Sequence, residues 1–191
     1  MCLADTLCRG CGIPDVSHGF RNFEIAAGEC EGTHWGPPFH DGDMYKWLEG
    51  VAAVYAVNHD PELDELMDYF IARVVKAQRA DGYIHTPVII DEKNKGIDTH
   101  AVANKQTVIG TKVGAENEKG AFANRLNFET YNLGHLMMAG IIHQRATGKN
   151  TLFDVAVKAT DFLCHFYETA SAELARNAIC PSHYMGVVEM Y

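Results

Sequence analysis

The chain has 191 residues, with 16 Lys and Arg against 25 Asp and Glu, a formal net charge of −9, and 47% apolar against 21% charged residues. This is globular usage at one-domain length, and it excludes a disordered chain. An acidic balance without a basic stripe argues against nucleic acid and an anionic membrane surface, and no run of about 18 apolar residues exists to span a bilayer.

Residues 1–38 read as irregular, with residues 1–20 as a leader and NFEIAAG as the only candidate element. The opening MCLADTLCRGCG lacks a charged segment followed by an apolar one, so no signal peptide is read there. Either the protein stays inside or its true N-terminus is missing, and the compartment is left open. Of the six cysteines, Cys8 and Cys11 form a CxxC, but a zinc ribbon needs a second such pair. Cys164 and Cys180 fall in apolar surroundings and read as buried thiols.

Residues 39–82 read as two helices. Asp43 is the expected cap of the first, which carries Met44, Trp47, Leu48, Val51, Val54 and Tyr55 at helical spacing. Asp60-Pro61 opens the second, with a capping carboxylate and then a proline whose missing N–H costs nothing there. Leu63, Met67, Phe70, Val74 and Ala77 line its apolar face, and Asp81-Gly82 is its expected end. The connection is short, so the pair is a helical hairpin.

Residues 83–126 contain two β-branched runs, TPVII and QTVIG, around a polar stretch. They predict a small β-hairpin or a long loop, which in a compact domain is usually functional. Residues 127–191 return to helix. Asn127 or Asn132 is the expected cap of the next element, Gly148 its stop, and Thr151 with Asp154 a capping box for the one after. Leu152, Val155, Ala159, Phe162, Leu163 and Phe166 form the stripe of that second helix, and Pro181-Ser182 opens a last helical segment, HYMGVVEMY.

The two helix pairs share an order, as repeated hairpins that stack into solenoids or toroids do. The expected class is therefore all-α. His40, Asp41 and Asp43 gather before one helix, where they bind a sugar hydroxyl or a metal, or simply cap the helix and face its dipole. Glu129, Tyr131 and His135 share another helix, but Glu129 and His135 are not four apart, so a HExxH zinc site is excluded. No GxSxG, P-loop or GxGxxG is present.

The strings NFEIAAGECEG, PPFHDGDMYKWLEGVA, DPELDELMDYFIARVVKAQRADGYIHT, NFETYNLGHLMMAGIIHQRATGKNTLFDVAVKATDFL and CPSHYMGVVEMY occur in this order. Together they resemble the N-terminal part of glycoside hydrolase family 127, over about residues 21–191. That resemblance implies part of an (α/α)6 toroidal catalytic domain. It also implies a retaining release of terminal L-arabinofuranose, through a cysteine thiolate held by zinc and a separate glutamate acid/base. The zinc and both reacting groups belong to the complete enzyme. No adjacent cysteine pair or E-x-C occurs here, so no catalytic residue is assigned and no cofactor is expected in this chain.

Two departures bear on the sugar. The family's H-E-L-Y reads Phe128, Glu129, Thr130, Tyr131, and Cys180 stands where its later histidine aligns, with His183 nearby. The expected pocket-lining residues are Asp41, Asp43, Glu129, Tyr131 and His183, and the expected partner is an L-arabinofuranosyl or related glycan. A partial toroid leaves apolar faces that favour self-association. The alternative is a non-catalytic helical-repeat module that binds a glycan or a protein.

Overall fold

The computed structural model describes residues 18–94, 128–172 and 180–191. Among these residues it holds seven helices and no strand, as the all-α expectation requires. They are α1 (Gly19–Ala26), α2 (His40–Asn58), α3 (Pro61–Ala77), α4 (Thr86–Lys93), α5 (Glu129–Thr147), α6 (Thr151–Thr169) and α7 (His183–Met190). Cys8, Cys11, Asn127, QTVIG and nearly all of the leader lie outside the described residues.

Two hairpins organise the chain, α2–α3 and α5–α6. In each, the first helix has 19 residues and ends on a left-handed residue, His59 (φ 52°) or Gly148 (φ 74°). Gly148 therefore stops α5 as expected. Asp60 accepts from the Glu62 N–H at 3.0 Å and Pro61 follows it, so α3 starts as the sequence predicts.

Other boundaries differ. α2 begins at His40 with Phe39 at its cap position, which puts Asp41 and Asp43 inside the first turn. Asp43 is not the cap. α3 ends at Ala77, four residues before Asp81. There Gln78 turns extended, and its amide donates to the carbonyls of Gly82 and Val155, both at 2.9 Å. α5 starts after Phe128, which is itself left-handed at φ 58°, and Asn132 lies within the helix. The Thr151–Asp154 capping box does not form. Asn150 takes the cap position, and its carbonyl accepts from the Asp154 N–H at 2.7 Å.

TPVII is helical rather than extended. Pro87 sits in the first turn of α4, and Ile89 and Ile90 are buried where α4 packs on α1. Burial on a neighbour overrides a modest β preference. Lys93 also donates to the carbonyl of Ala26 at the end of α1.

α5 packs against α2, α6 and α7 and is buried around most of its circumference. The core runs through Leu48, Met67, Phe70, Val74, Leu136, Met137, Leu152 and Ala159. Phe70 meets Phe20, Phe23 and Trp47 edge-on at 4.9, 5.0 and 5.7 Å. Each such side chain contributes about 1.5–3 kcal/mol by leaving water. Val54 departs from its expected stripe and is half exposed. Cys164, on α6, and Cys180, in the turn before α7, are exposed rather than buried. Among the described residues, no helix is long and apolar enough to cross a membrane.

Candidate functional site

The first turns of α2 and α5 meet beside the segment that enters α4. Asp41, in the first turn of α2, is buried. Its two oxygens accept from the Thr86 N–H at 2.7 Å and the Thr86 hydroxyl at 2.6 Å. His85 Nδ1 lies 3.5 Å away. Burial pushes this carboxyl up, but His85 and Thr86 together outweigh it and hold the group below the usual carboxylate range. The carboxylate also faces the positive end of α4.

Asn132 fastens α5 to the same place. Its Oδ1 accepts from the Gly42 N–H at 2.9 Å, and its Nδ2 donates to the Pro38 carbonyl at 2.9 Å and faces His85 Nδ1 at 3.2 Å. Gly42 is required here: a Cβ would come within 2.8 Å of both Asn132 Oδ1 and the Tyr131 ring. Glu129 is buried and accepts from the Tyr83 hydroxyl. Burial first, and Glu129 second, push the Tyr83 phenol well above its ordinary value.

Imidazoles crowd around Asp41. Burial drives His34 down to about 4 against the opposing pull of Asp41, with His85, His40 and His18 adding to the downward shift. Buried ring nitrogens of His34 (Nε2), His40 (Nδ1) and His85 (Nε2) have no hydrogen-bond partner among the described residues. Imidazole rings so placed can exchange hydrogen bonds with hydroxyl groups.

The rim is polar and half exposed. Lys46 donates to the Tyr131 hydroxyl at 2.6 Å and pairs with Asp43 at 2.8 Å. Burial lowers the Lys46 ammonium, but Asp43 and Tyr131 more than offset it and raise it. Tyr131 also meets Phe128 at 6.1 Å and His135 at 4.7 Å.

Of the five residues named from the sequence, Asp41, Asp43, Glu129 and Tyr131 are positioned by these adjoining first turns. His183 is elsewhere, on α7, stacked on Tyr167 at 5.9 Å. Sequence reasoning passed over His34, Tyr83, His85, Thr86 and Asn132. The D-G-Y step was visible for Tyr83, but nothing in the spacing ties residues 83–86 to Asp41. No group of three His, Cys, Asp or Glu among the described residues is disposed to hold a metal. The described cysteines are scattered single thiols on a loop, on α6 and before α7, so this donor set does not fit a zinc centre.

Comparison with known proteins follows the same lines. A curated relative, the non-reducing end β-L-arabinofuranosidase of Bifidobacterium longum subsp. longum, is 31% identical over 154 residues, covering 77% of this chain and 19% of that protein. The crystal structure of a GH127 β-L-arabinofuranosidase from Geobacillus stearothermophilus T6 superposes with a TM-score of 0.73 at 29% identity, over 99% of this chain and 26% of that one. A solved glycoside hydrolase is 60% identical with a TM-score of 0.55, over 91% of this chain and 22% of that one. The chain thus spans about a quarter or less of the length of each. The family described as Beta-L-arabinofuranosidase, GH127 catalytic domain, matches residues 11–191, nearly the whole sequence, and the chain belongs to that family.

Proposed function

We propose that this chain is the N-terminal portion of a glycoside hydrolase that releases terminal L-arabinofuranose from a glycan by a retaining mechanism. Its hairpins form part of a toroid wall and one side of the sugar pocket. The observation that carries this reading is the network at the first turns of α2 and α5. There a buried Asp41–Thr86–His85–Asn132 frame supports a rim of Asp43, Lys46 and Tyr131. Such a rim offers a carboxylate, an ammonium and an aromatic face, the groups that hold sugar hydroxyls and C–H faces. Asp41 and Glu129 hold the frame, and Asp43 and Tyr131 face the sugar. The groups that break the glycosidic bond, and the zinc, belong in this reading to parts of the enzyme outside this chain.

The test begins with the coding DNA past the codon for Tyr191. The whole gene product and this chain alone are then assayed on p-nitrophenyl β-L-arabinofuranoside. Turnover by the whole product, with a raised KM in Tyr131→Phe and Asp43→Asn, supports the reading. A stop codon directly after Tyr191, with sugar binding but no turnover, favours the binding-module alternative.

A further inference from the structure

α7 crosses α5 at two glycines with almost no side chain between the backbones. A Cβ on Gly134 would lie 2.4 Å from both the backbone nitrogen of His183 and the carbonyl carbon of Ser182. A Cβ on Gly186 would lie 2.7 Å from Met137 Sδ and 3.0 Å from the Gly134 carbonyl oxygen. The Ser182 hydroxyl donates to the Tyr131 carbonyl at 2.8 Å, which ties the start of α7 to the first turn of α5. Cys180, just before α7, is held left-handed at φ 49°.

His183, the first residue of α7, lies at this seam and is 3% exposed. Its ring stacks on Tyr167 of α6 with 18° between the planes and tilts against Tyr184 at 4.3 Å. Neither ring nitrogen has a hydrogen-bond partner among the described residues. α5 presents Gly134 and Met137, which carry no charge. Among the described residues, the titratable groups facing the ring are the Tyr167 phenol from α6 and the Tyr184 phenol on α7 itself. The ion pair that joins these helices, Arg145–Glu189 at 3.4 Å, is on the exposed surface a turn or more away.

A neutral imidazole tolerates this packing. An imidazolium brings a full charge and two donors into a place where the described residues offer the ring no acceptor, and that costs far more. We propose that His183 is an acid-sensitive latch: α7 stays docked on α5 while the ring is neutral, and protonation of the ring releases it. Burial alone shifts this imidazole, and shifts it downward. The latch is therefore fully closed above the ordinary histidine value of about 6.5 and opens as the pH falls below it. Release also frees the Tyr131 carbonyl from Ser182, so acid loosens the helix turn that carries Tyr131.

The experiment is hydrogen exchange of the α7 amides in this chain at pH 7.5 and pH 5.0. Rates are corrected for the chemical exchange rate and read against α3. The expected result is an α7 protection that drops about tenfold or more relative to α3 at the lower pH. In His183→Phe, which keeps a ring but cannot take a proton, that selective drop disappears. No selective drop in the wild type overturns the proposal, as does an equal drop in the variant. Should His183→Phe not fold, the wild-type His183 ring signal is titrated by NMR. A midpoint that coincides with α7 release supports the latch, and a midpoint well separated from it overturns it.

Discussion

Thr86 donates twice to Asp41, through its backbone N–H to one carboxylate oxygen and through its hydroxyl to the other. The two residues are 45 positions apart and both are buried. This pair welds the start of α2 to the start of α4, and its removal strands two donors inside the protein. Asp41→Ala is expected to cost about 3 kcal/mol, with Thr86→Val costing about 1–2 kcal/mol, as read from urea midpoints. A change below about 0.5 kcal/mol for Asp41→Ala would remove the frame from the account of the site.

His34 and Asp41 give the chain a stability that depends on pH. The folded His34 value is depressed to about 4 by burial, so the unfolded chain binds its proton first. Stability from this group is complete above about pH 6.5 and is lost as the pH falls toward 4. Asp41 is also depressed, so its share persists until the pH falls below the ordinary carboxylate value of about 3.9. Denaturation midpoints should hold from pH 7.5 to about 6.5 and fall from there toward 4, and His34→Gln should flatten that fall. An NMR titration of the His34 ring that centred near 6.5 would contradict the burial.

Two glycines of α2 should respond in opposite directions. Gly42→Ala drives a methyl against Asn132 and Tyr131 and is expected to cost about 1–3 kcal/mol. At Gly50 a Cβ meets nothing within 4 Å, so Gly50→Ala should stabilise the helix by about 0.5–1 kcal/mol. Thermal melts of the two variants decide this, and equal effects would refute the close contact at Gly42.

The outer face of α7 carries Tyr184, Met185 and Val188, all more than half exposed. Such a stripe binds hydrophobic dyes and promotes association. Sedimentation of this chain alone should show association that rises with concentration, and Met185→Lys with Val188→Lys should reduce it along with dye fluorescence. A clean monomer with no dye binding would refute this.

The hairpins are legible in the sequence because strong local signals mark their ends. Asp60-Pro61 offers a cap and a proline at the one place where a helix welcomes it, and Gly148 supplies the left-handed stop. α4 is not legible, because five β-branched or imino residues in a row point away from helix until α1 covers Ile89 and Ile90. The start of α2 is misjudged for a related reason. Asp41 looks like a capping group, yet its partner is Thr86, which spacing along the chain cannot reveal. Asn132 is read as a cap for the same reason, and its partners Gly42 and His85 come from two other elements. The polar positions of the site are thus visible as residue types, while their pairings are a product of the tertiary structure.

Lys149 follows the stop at Gly148 and bridges Asp64 and Asp68 of α3, at 2.7 Å each. It sits at the far end of α5, about 27 Å from the first turn where Asn132 joins the hairpins with an uncharged amide. The two hairpins are therefore clasped by ion pairs at one end, and at the other by the Asn132 amide bonds together with the single charged Lys46–Tyr131 bond. Dissolved salt weakens the first clasp and barely touches the Asn132 bonds of the second. Rising ionic strength should let the pair splay like a book opened from its fore-edge, with the spine at the Asn132 end kept shut.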